Sequence, residues 1–281
     1  MATRKIHFFT GKGGVGKSTL AAAFALKKAH QLKNKQPQEK ILLTEATNQP
    51  CLQNIIQHKY DNLEVENWTA KDCLSDYASH LIKSKFLTQL FLNNNLSQSL
   101  IQIAPGLNEL ALLGKATAGP RNHGPQLNFS EIFMDSYSTG HFLQLMRAPE
   151  VFSEIFNIGP MATQSKSIDN CLKNTDLCQI FIVLTSDSLV LSESLELFET
   201  LKSFKFKPVF LLNKFLDFES LSYNKYPEKT KQYFKHLHQL QIEATQQLEK
   251  KSNFLFKVPF CFEMRPLNIV NQLIEKSDFI L

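Results

Sequence analysis

Residues 11–19 read GKGGVGKST, directly after the apolar run Ile6–Thr10 and directly before the helix-forming stretch Leu20–Lys28. A strand, a glycine-rich loop closing on Lys-Ser, and then a helix make the architecture of a phosphate-binding loop. Gly11, Gly13, Gly14 and Gly16 let the backbone curl so that consecutive N–H groups face inward. Those amides, with the positive end of the following helix, form an anion cradle. Lys17 reaches the outer phosphates as a point charge, and the Ser18 hydroxyl ligates Mg²⁺. Gly11, Gly13, Gly14, Val15, Gly16, Lys17, Ser18 and Thr19 are therefore the candidate nucleotide-binding segment. A turn with no ligand is the plainer reading of such glycines, and the strand before and helix after argue against it.

Lys12 narrows the reading. The string KGGVGKS resembles the deviant Walker A loop of the MinD, ParA, nitrogenase-iron-protein and arsenical-pump-ATPase superfamily. That resemblance implies an early lysine that crosses a dimer interface and touches the partner's nucleotide. There it acts like an arginine finger on the transferred phosphoryl group. A solvated surface lysine is the alternative for any loop position. The resemblance also implies ATP and Mg²⁺ as ligands, and a homodimer or a heterodimer with a related ATPase.

With 281 residues, 43% of them hydrophobic, the chain can bury a large α/β core, and disorder is not the default. The net charge of +5 comes from scattered lysines, although residues 27–40 hold several, so no nucleic-acid partner is expected. Cys51, Cys73, Cys171, Cys178 and Cys261 form no CxxC pair and suit free thiols in a reducing compartment. Cys171 and Cys178 read as structural, at a helix end and a strand start. Neither a signal peptide nor a membrane span is recognisable, so a cytoplasmic protein is expected.

Apolar runs alternate with helical patterns, which predicts an α/β fold with a mostly parallel sheet flanked by helices and an inserted helical layer. Strands are expected at Lys5–Thr10, Ile41–Ala46, Leu63–Asn67, Ile132–Asp135, Ile180–Thr185, Pro208–Asn213 and Phe254–Val258. Helices are expected at Lys17–Lys33, Leu52–His58, Ser188–Leu201, Tyr226–Lys251 and Leu267–Ser277. Residues 70–118 read as mostly helical, with Leu74, Tyr77, Leu81 and Ile82 on one face. Gly119–Gly124 reads as a loop, and Phe142–Arg147, Phe152–Phe156 and Met161–Leu172 as helical pieces broken by Pro149 and Pro160. One domain over 1–281 is expected, with 70–118 and 142–172 as the candidate client or partner layer. The phenylalanines there, Phe86, Phe91, Phe142, Phe152 and Phe156, are expected to pack inward.

Asp135 ends an apolar run and precedes SYSTGH; a carboxylate at the C-terminal end of a strand beside the loop strand stands where Mg²⁺ is held. Gly140 permits a sharp turn and brings an amide toward the γ-phosphate. The string resembles the DTAPTGH switch of the arsenical pump-driving ATPase family, which includes the eukaryotic tail-anchored-protein targeting ATPases. Asp135, Thr139, Gly140 and His141 match it, while Ser136, Tyr137 and Ser138 replace the middle. Ala104-Pro105-Gly106 with Gly114-Lys115 is similar to APG…LGK, LMRAP at 145–149 to LLRxP, and Thr185 with Glu193 to VTxPExLxxxE. Leu211–Lys214 resembles the strand whose Asn contacts adenine, and Val258-Pro259 the segment that closes over the base. The resemblance implies base contacts at Asn213 and Pro259. His141 either senses nucleotide state or caps the next helix, and a strand-end Asn213 can also be a turn former.

One departure concerns catalysis. The family carries an Asp after its second strand that orients the attacking water, and Thr47 occupies that place in TEATNQPCL. A threonine cannot serve as a carboxylate base. Glu45, two residues earlier, reaches the water, or contacts a helix end or the Mg²⁺ shell. Five methionines against 23 phenylalanines give little support to a methionine-lined client groove, and scattered thiols little to an arsenite site. The client or membrane partner is unassigned by sequence. The leading reading is a dimeric ATPase with slow turnover; the alternatives are a nucleotide-binding partner subunit with little hydrolysis and a small-molecule kinase.

Overall fold

Runs of residues buried on both faces build the centre of the molecule. In the computed structural model, which describes residues 5–47, 50–57, 60–82, 106–124, 127–156, 158–218 and 227–276, seven strands form one parallel sheet. They are β1 (Lys5–Thr10), β2 (Ile41–Glu45), β3 (Leu63–Asn67), β4 (Glu131–Asp135), β5 (Cys178–Leu184), β6 (Val209–Phe215) and β7 (Leu255–Pro259), in the order β3-β2-β4-β1-β5-β6-β7. Every pairing is parallel, as expected of strands alternating with crossover helices. The α/β expectation holds, with boundaries shifted by a residue or two.

Adjacent phenylalanines of β1 define the two faces. Successive strand side chains point opposite ways. Phe9 meets Phe24 of α1 (Lys17–Lys35) at 5.2 Å between ring centroids, while Phe8 meets Phe142 of the later helix Thr139–Phe156 at 6.1 Å. The two helices therefore cover opposite faces. Ala21, Ala22, Ala23, Ala25 and Ala29 of α1 are fully buried, and their small side chains let the helix lie close on the sheet.

The remaining described helices are α2 (Leu52–Ile55), α3 (Ala70–Ile82), α4 (Leu107–Ala116), α5 (Ala118–Arg121), α6 (Thr139–Phe156), α7 (Pro160–Lys173), α8 (Ser188–Ser203), α9 (Glu228–Lys251) and α10 (Pro266–Lys276). The helix expected over Leu52–His58 ends at Ile55. Leu74 of α3 packs on the core, and a Cβ placed on Gly114 would lie 3.5 Å from the Tyr77 ring, so α3 and α4 sit close. Phe86, Phe91, Ala104 and Pro105 lie outside the described residues. No helix among the described residues is long and apolar enough to cross a membrane.

Two expectations about proline and glycine are corrected. Gly119–Gly124 is not all loop: Ala118–Arg121 forms a helical turn, with Asn122 in the left-handed region at φ 51°. Pro120 sits in the first turn, where its missing N–H is no loss. Arg121 then fastens the turn, donating to Thr117 Oγ1 and Gln164 Oε1 at 2.8 Å each and to the Gly114 carbonyl at 3.0 Å. Pro149 does not break its helix either; α6 runs unbroken from Thr139 to Phe156 with Pro149 buried inside it. An interior proline costs about 3 kcal/mol, and burial of Phe142, Leu145, Met146 and Phe152 on the same helix outweighs that. Pro160 opens α7, the position that suits it. Among the expected inward residues, Phe142 and Phe152 are buried and Phe156 is 45% exposed.

Candidate functional site

Three strands end side by side at one edge of the sheet, and each delivers a functional group. β1 runs through Thr10 into the glycine loop, β2 ends on Glu45 and β4 ends on Asp135. The register sets Glu45 beside Asp135 and Asp135 beside Phe9. Open parallel sheets bind ligands at this carboxyl edge, where crossovers leave a crevice. The crevice is a cavity of about 620 Å³ lined by Lys17, Ser18, Glu45, Thr47, Cys51 and Asp135 among others.

The loop conformation explains its glycines at two positions. Gly11 has φ 140°, and a Cβ there would strike the Val183 carbonyl; Gly16 has φ 100°, and a Cβ there would strike the Asn213 amide. Asn213 itself donates from Nδ2 to the Val15 carbonyl at 2.7 Å, bracing the loop from below. An irregularity in the β6–β7 register falls between Leu212 and Phe215, where such a bulge re-aims side chains. α1 has Gly16 at its N-cap, with no side-chain cap and no acid in its first turn, which leaves the terminus to an anion. Lys17 Nζ meanwhile donates to the Lys12 carbonyl at 3.2 Å. Burial lowers the Lys17 pKa, against the attraction of Asp135 and Cys51.

Ser18 and Asp135, the two expected metal ligands, are in contact. Ser18 Oγ donates to Asp135 Oδ2 at 2.5 Å. Asp135 Oδ1 is buried without a hydrogen-bond partner among the described residues. Burial pushes the Asp135 carboxyl up to about 6, with Glu45 adding repulsion, while the Ser18 bond and Lys17 pull the other way. A hydroxyl and a carboxylate with an idle oxygen are a hard-oxygen set that fits Mg²⁺.

Glu45 is 2% exposed, and its carboxylate is engaged. It accepts from the Cys51 amide at 2.9 and 3.0 Å and from the Leu52 amide at 3.0 Å, capping α2. Of the roles open to Glu45, the helix-end contact is present, and the residue also lines the cavity. Thr47 lines the cavity, its amide 3.4 Å from Asn67 Oδ1. Lys12 Nζ pairs with Glu193 Oε1 at 2.9 Å, within the same chain.

Other expected residues sit further out. Thr10 Oγ1 donates to the Tyr137 carbonyl at 2.9 Å, which holds the segment after β4 against β1. Cavity lining ends at Ser138, and Gly140 and His141 follow in the first turn of α6, both exposed. His141 meets the Tyr137 ring edge-on at 6.0 Å. Pro259 ends β7 opposite Phe215 of β6. Sequence reasoning missed Cys51 as a lining residue, and its distance along the chain from any glycine motif gave no signal. It also missed that Glu193, noted only as part of a motif, meets Lys12.

A family model described as anion-transporting ATPase matches residues 4–160. The chain is 26% identical over 214 residues to the ATPase BagA of Mycobacterium tuberculosis, covering 70% of this chain and 61% of that relative. It is 28% identical over 159 residues to an ATPase ASNA1 homolog of Plasmodium chabaudi chabaudi, covering 52% of this chain and 37% of the relative. The chain thus spans about three fifths of the mycobacterial protein and less of the other. The matched span runs from β1 through the glycine loop, Glu45 and Asp135 to the end of α6, and the chain belongs to the anion-transporting ATPase family.

Proposed function

We propose that this chain is a Mg²⁺-dependent ATPase that works as a dimeric switch, its nucleotide state setting the arrangement of α3, α4, α6 and α7 for a partner. The observation that carries the reading is the convergence of Lys17, Ser18 and Asp135 at the carboxyl edge, under an uncapped helix terminus. Loop amides and the α1 terminus bind the phosphates. Lys17 leaves the Lys12 carbonyl to reach the outer phosphates. Ser18 and Asp135 hold Mg²⁺, which when bound neutralises charge on the β- and γ-phosphates. Asn213 and Pro259 face the base, and Gly140 with His141 follows nucleotide state through the segment tied to Thr10. The organisation is one ATPase domain with its helical layer as the partner-facing part.

Lys12 acts across the dimer only after leaving Glu193. Both side chains are about one-third exposed, 32% and 37%, so this release costs less than about 1 kcal/mol. Turnover is slow, because Thr47 supplies no carboxylate and Glu45 is a positioning residue for Cys51 and Leu52. Phosphoryl transfer still proceeds on positioning and charge stabilisation. The same engaged Glu45 favours a second reading, a nucleotide-binding subunit with little hydrolysis that pairs with an active relative.

Turnover and mass, measured together with and without a γ-phosphate mimic, separate the two. A dimer with stimulated hydrolysis supports the first reading, and tight binding without hydrolysis the second. Calorimetry with no association of Mg²⁺–ATP overturns both.

A further inference from the structure

Cys51 lines the crevice, yet phosphate chemistry has no use for a thiol there. Its sulfur, one oxygen of Glu45 and one oxygen of Asp135 all lie within 4.8 Å of one another. No other such trio of acidic, thiol or imidazole groups occurs among the described residues. We propose that Glu45, Cys51 and Asp135 form a mixed sulfur–oxygen site that binds a thiophilic divalent cation of the zinc class directly, without nucleotide.

The geometry is close to assembled. Cys51 Sγ stands 3.5 Å from Glu45 Oε2. Ligands at about 2.0–2.3 Å from a tetrahedral ion are separated from each other by about 3.5 Å. The three donors come from the end of β2, the residue before α2 and the end of β4. The strand register fixes the first and third, and the Glu45 bonds to the Cys51 and Leu52 amides fix the second against the first. Such outer bonds orient ligands and stiffen a site.

Within the trio, the Asp135 carboxylate has an acceptor to spare. Asp135 Oδ1 is buried and has no hydrogen-bond partner among the described residues, although its twin Oδ2 is taken by Ser18. A buried acceptor left idle loses its hydration without compensation. A cation supplies it. Cys51 is half-buried on an open cavity, so an ion can enter and a water can complete four-fold coordination.

Sulfur decides the metal class. Mg²⁺ prefers oxygen ligands and dehydrates reluctantly, whereas thiolate selects zinc and its softer relatives. Binding displaces the Cys51 thiol proton to solvent, and the thiolate then bonds the ion. Because Asp135 belongs to both sets, a thiophilic cation and Mg²⁺ exclude one another here. The ATPase reading is not needed for this inference, and its test omits nucleotide.

Titrating the nucleotide-free full chain with Co²⁺ is the direct experiment. The expected result is a thiolate-to-cobalt charge-transfer band that saturates at one equivalent and is removed by Zn²⁺, but survives a hundredfold excess of Mg²⁺. Cys51→Ser abolishes the band, and Cys261→Ser, at the other half-buried thiol, preserves it. Glu45→Gln and Asp135→Asn weaken cobalt binding by at least about tenfold. Wild-type protein gives a further readout by mass spectrometry, in which Zn²⁺ shields Cys51 but not Cys261 from alkylation. No band at one equivalent, a band that survives Cys51→Ser, or unshielded Cys51 overturns the proposal. ATP binding measured by calorimetry on the same sample fails or succeeds separately.

Discussion

Strand β4 carries a carboxylate at each end, and the two live in opposite circumstances. Glu131, at the start, accepts from Lys28 Nζ at 2.6 Å on one oxygen and pairs with His7 Nε2 at 2.8 Å on the other. Burial alone would raise its pKa, but the His7 and Lys28 hydrogen bonds and charges outweigh that and hold it below the usual carboxylate value. Asp135, at the other end, has one oxygen on Ser18 and one idle, and burial drives it up to about 6. At one end of the strand the carboxylate is finished on both oxygens, and that pairing stabilises the sheet. The other is left incomplete at the edge where parallel sheets take ligands, and a cation would finish it.

Ways to break that contrast begin at the ligand edge. Lys17→Ala removes the charge aimed at the phosphates and should lower ATP turnover by about 10²–10³-fold, with little change in Tm. A variant as active as wild type would remove the loop from the chemistry. At the finished edge, Glu131→Ala leaves Lys28 and His7 without their acceptor. It should lower unfolding stability by about 3 kcal/mol, read from the urea midpoint, while nucleotide affinity stays unchanged.

Asp135→Asn should do the reverse. Removing a buried, under-satisfied charge raises the ligand-free Tm by a few degrees, and Mg²⁺-dependent nucleotide binding weakens. A fall in Tm would mean that Asp135 is as well satisfied as Glu131.

Acidity sharpens the same comparison, since the two shifts have opposite signs. Glu131 has a lowered folded-state pKa, so its contribution is present above the ordinary value of 4.5 and lost as pH falls through the folded value. Asp135 has a raised one, so its contribution is complete below the ordinary 3.8 and lost as pH rises through about 6. Ligand-free stability of Asp135→Asn should therefore lack the decline that wild type shows between those two values, as chemical denaturation across that range would reveal. Smallest of all, Glu193→Gln should change stability by less than about 1 kcal/mol. By freeing Lys12 it should raise turnover, and a fall to the level of Lys12→Ala would assign Glu193 a larger role.

The strand–loop–helix at residues 5–35 was legible because its signals are local: an apolar run, glycines where the backbone must curl, and good helix formers behind them. β1 and β3 emerge at their expected boundaries for the same reason. Pro149 and the 119–124 segment misled because their local preference opposes the fold. Packing of Phe142 and Phe152, and the clamp made by Arg121, come from residues distant in sequence and override that preference. Cys51 left no trace in the sequence as a crevice residue, since only the capping of α2 by Glu45 brings its thiol to Asp135.

Sequence by itself determined the glycine loop, the parallel α/β plan and the identities of Lys17, Ser18 and Asp135, because backbone curl and hydrophobic period are properties of neighbours along the chain. Tertiary structure alone decided what those residues touch. It put Glu45 on the α2 amides, Lys12 on Glu193, Asn213 under Val15, and an Asp135 oxygen within 4.8 Å of the Cys51 thiol. Partnership of that kind depends on strand order and register, which bring Asn213 to Val15 across 198 residues, a separation no local pattern records.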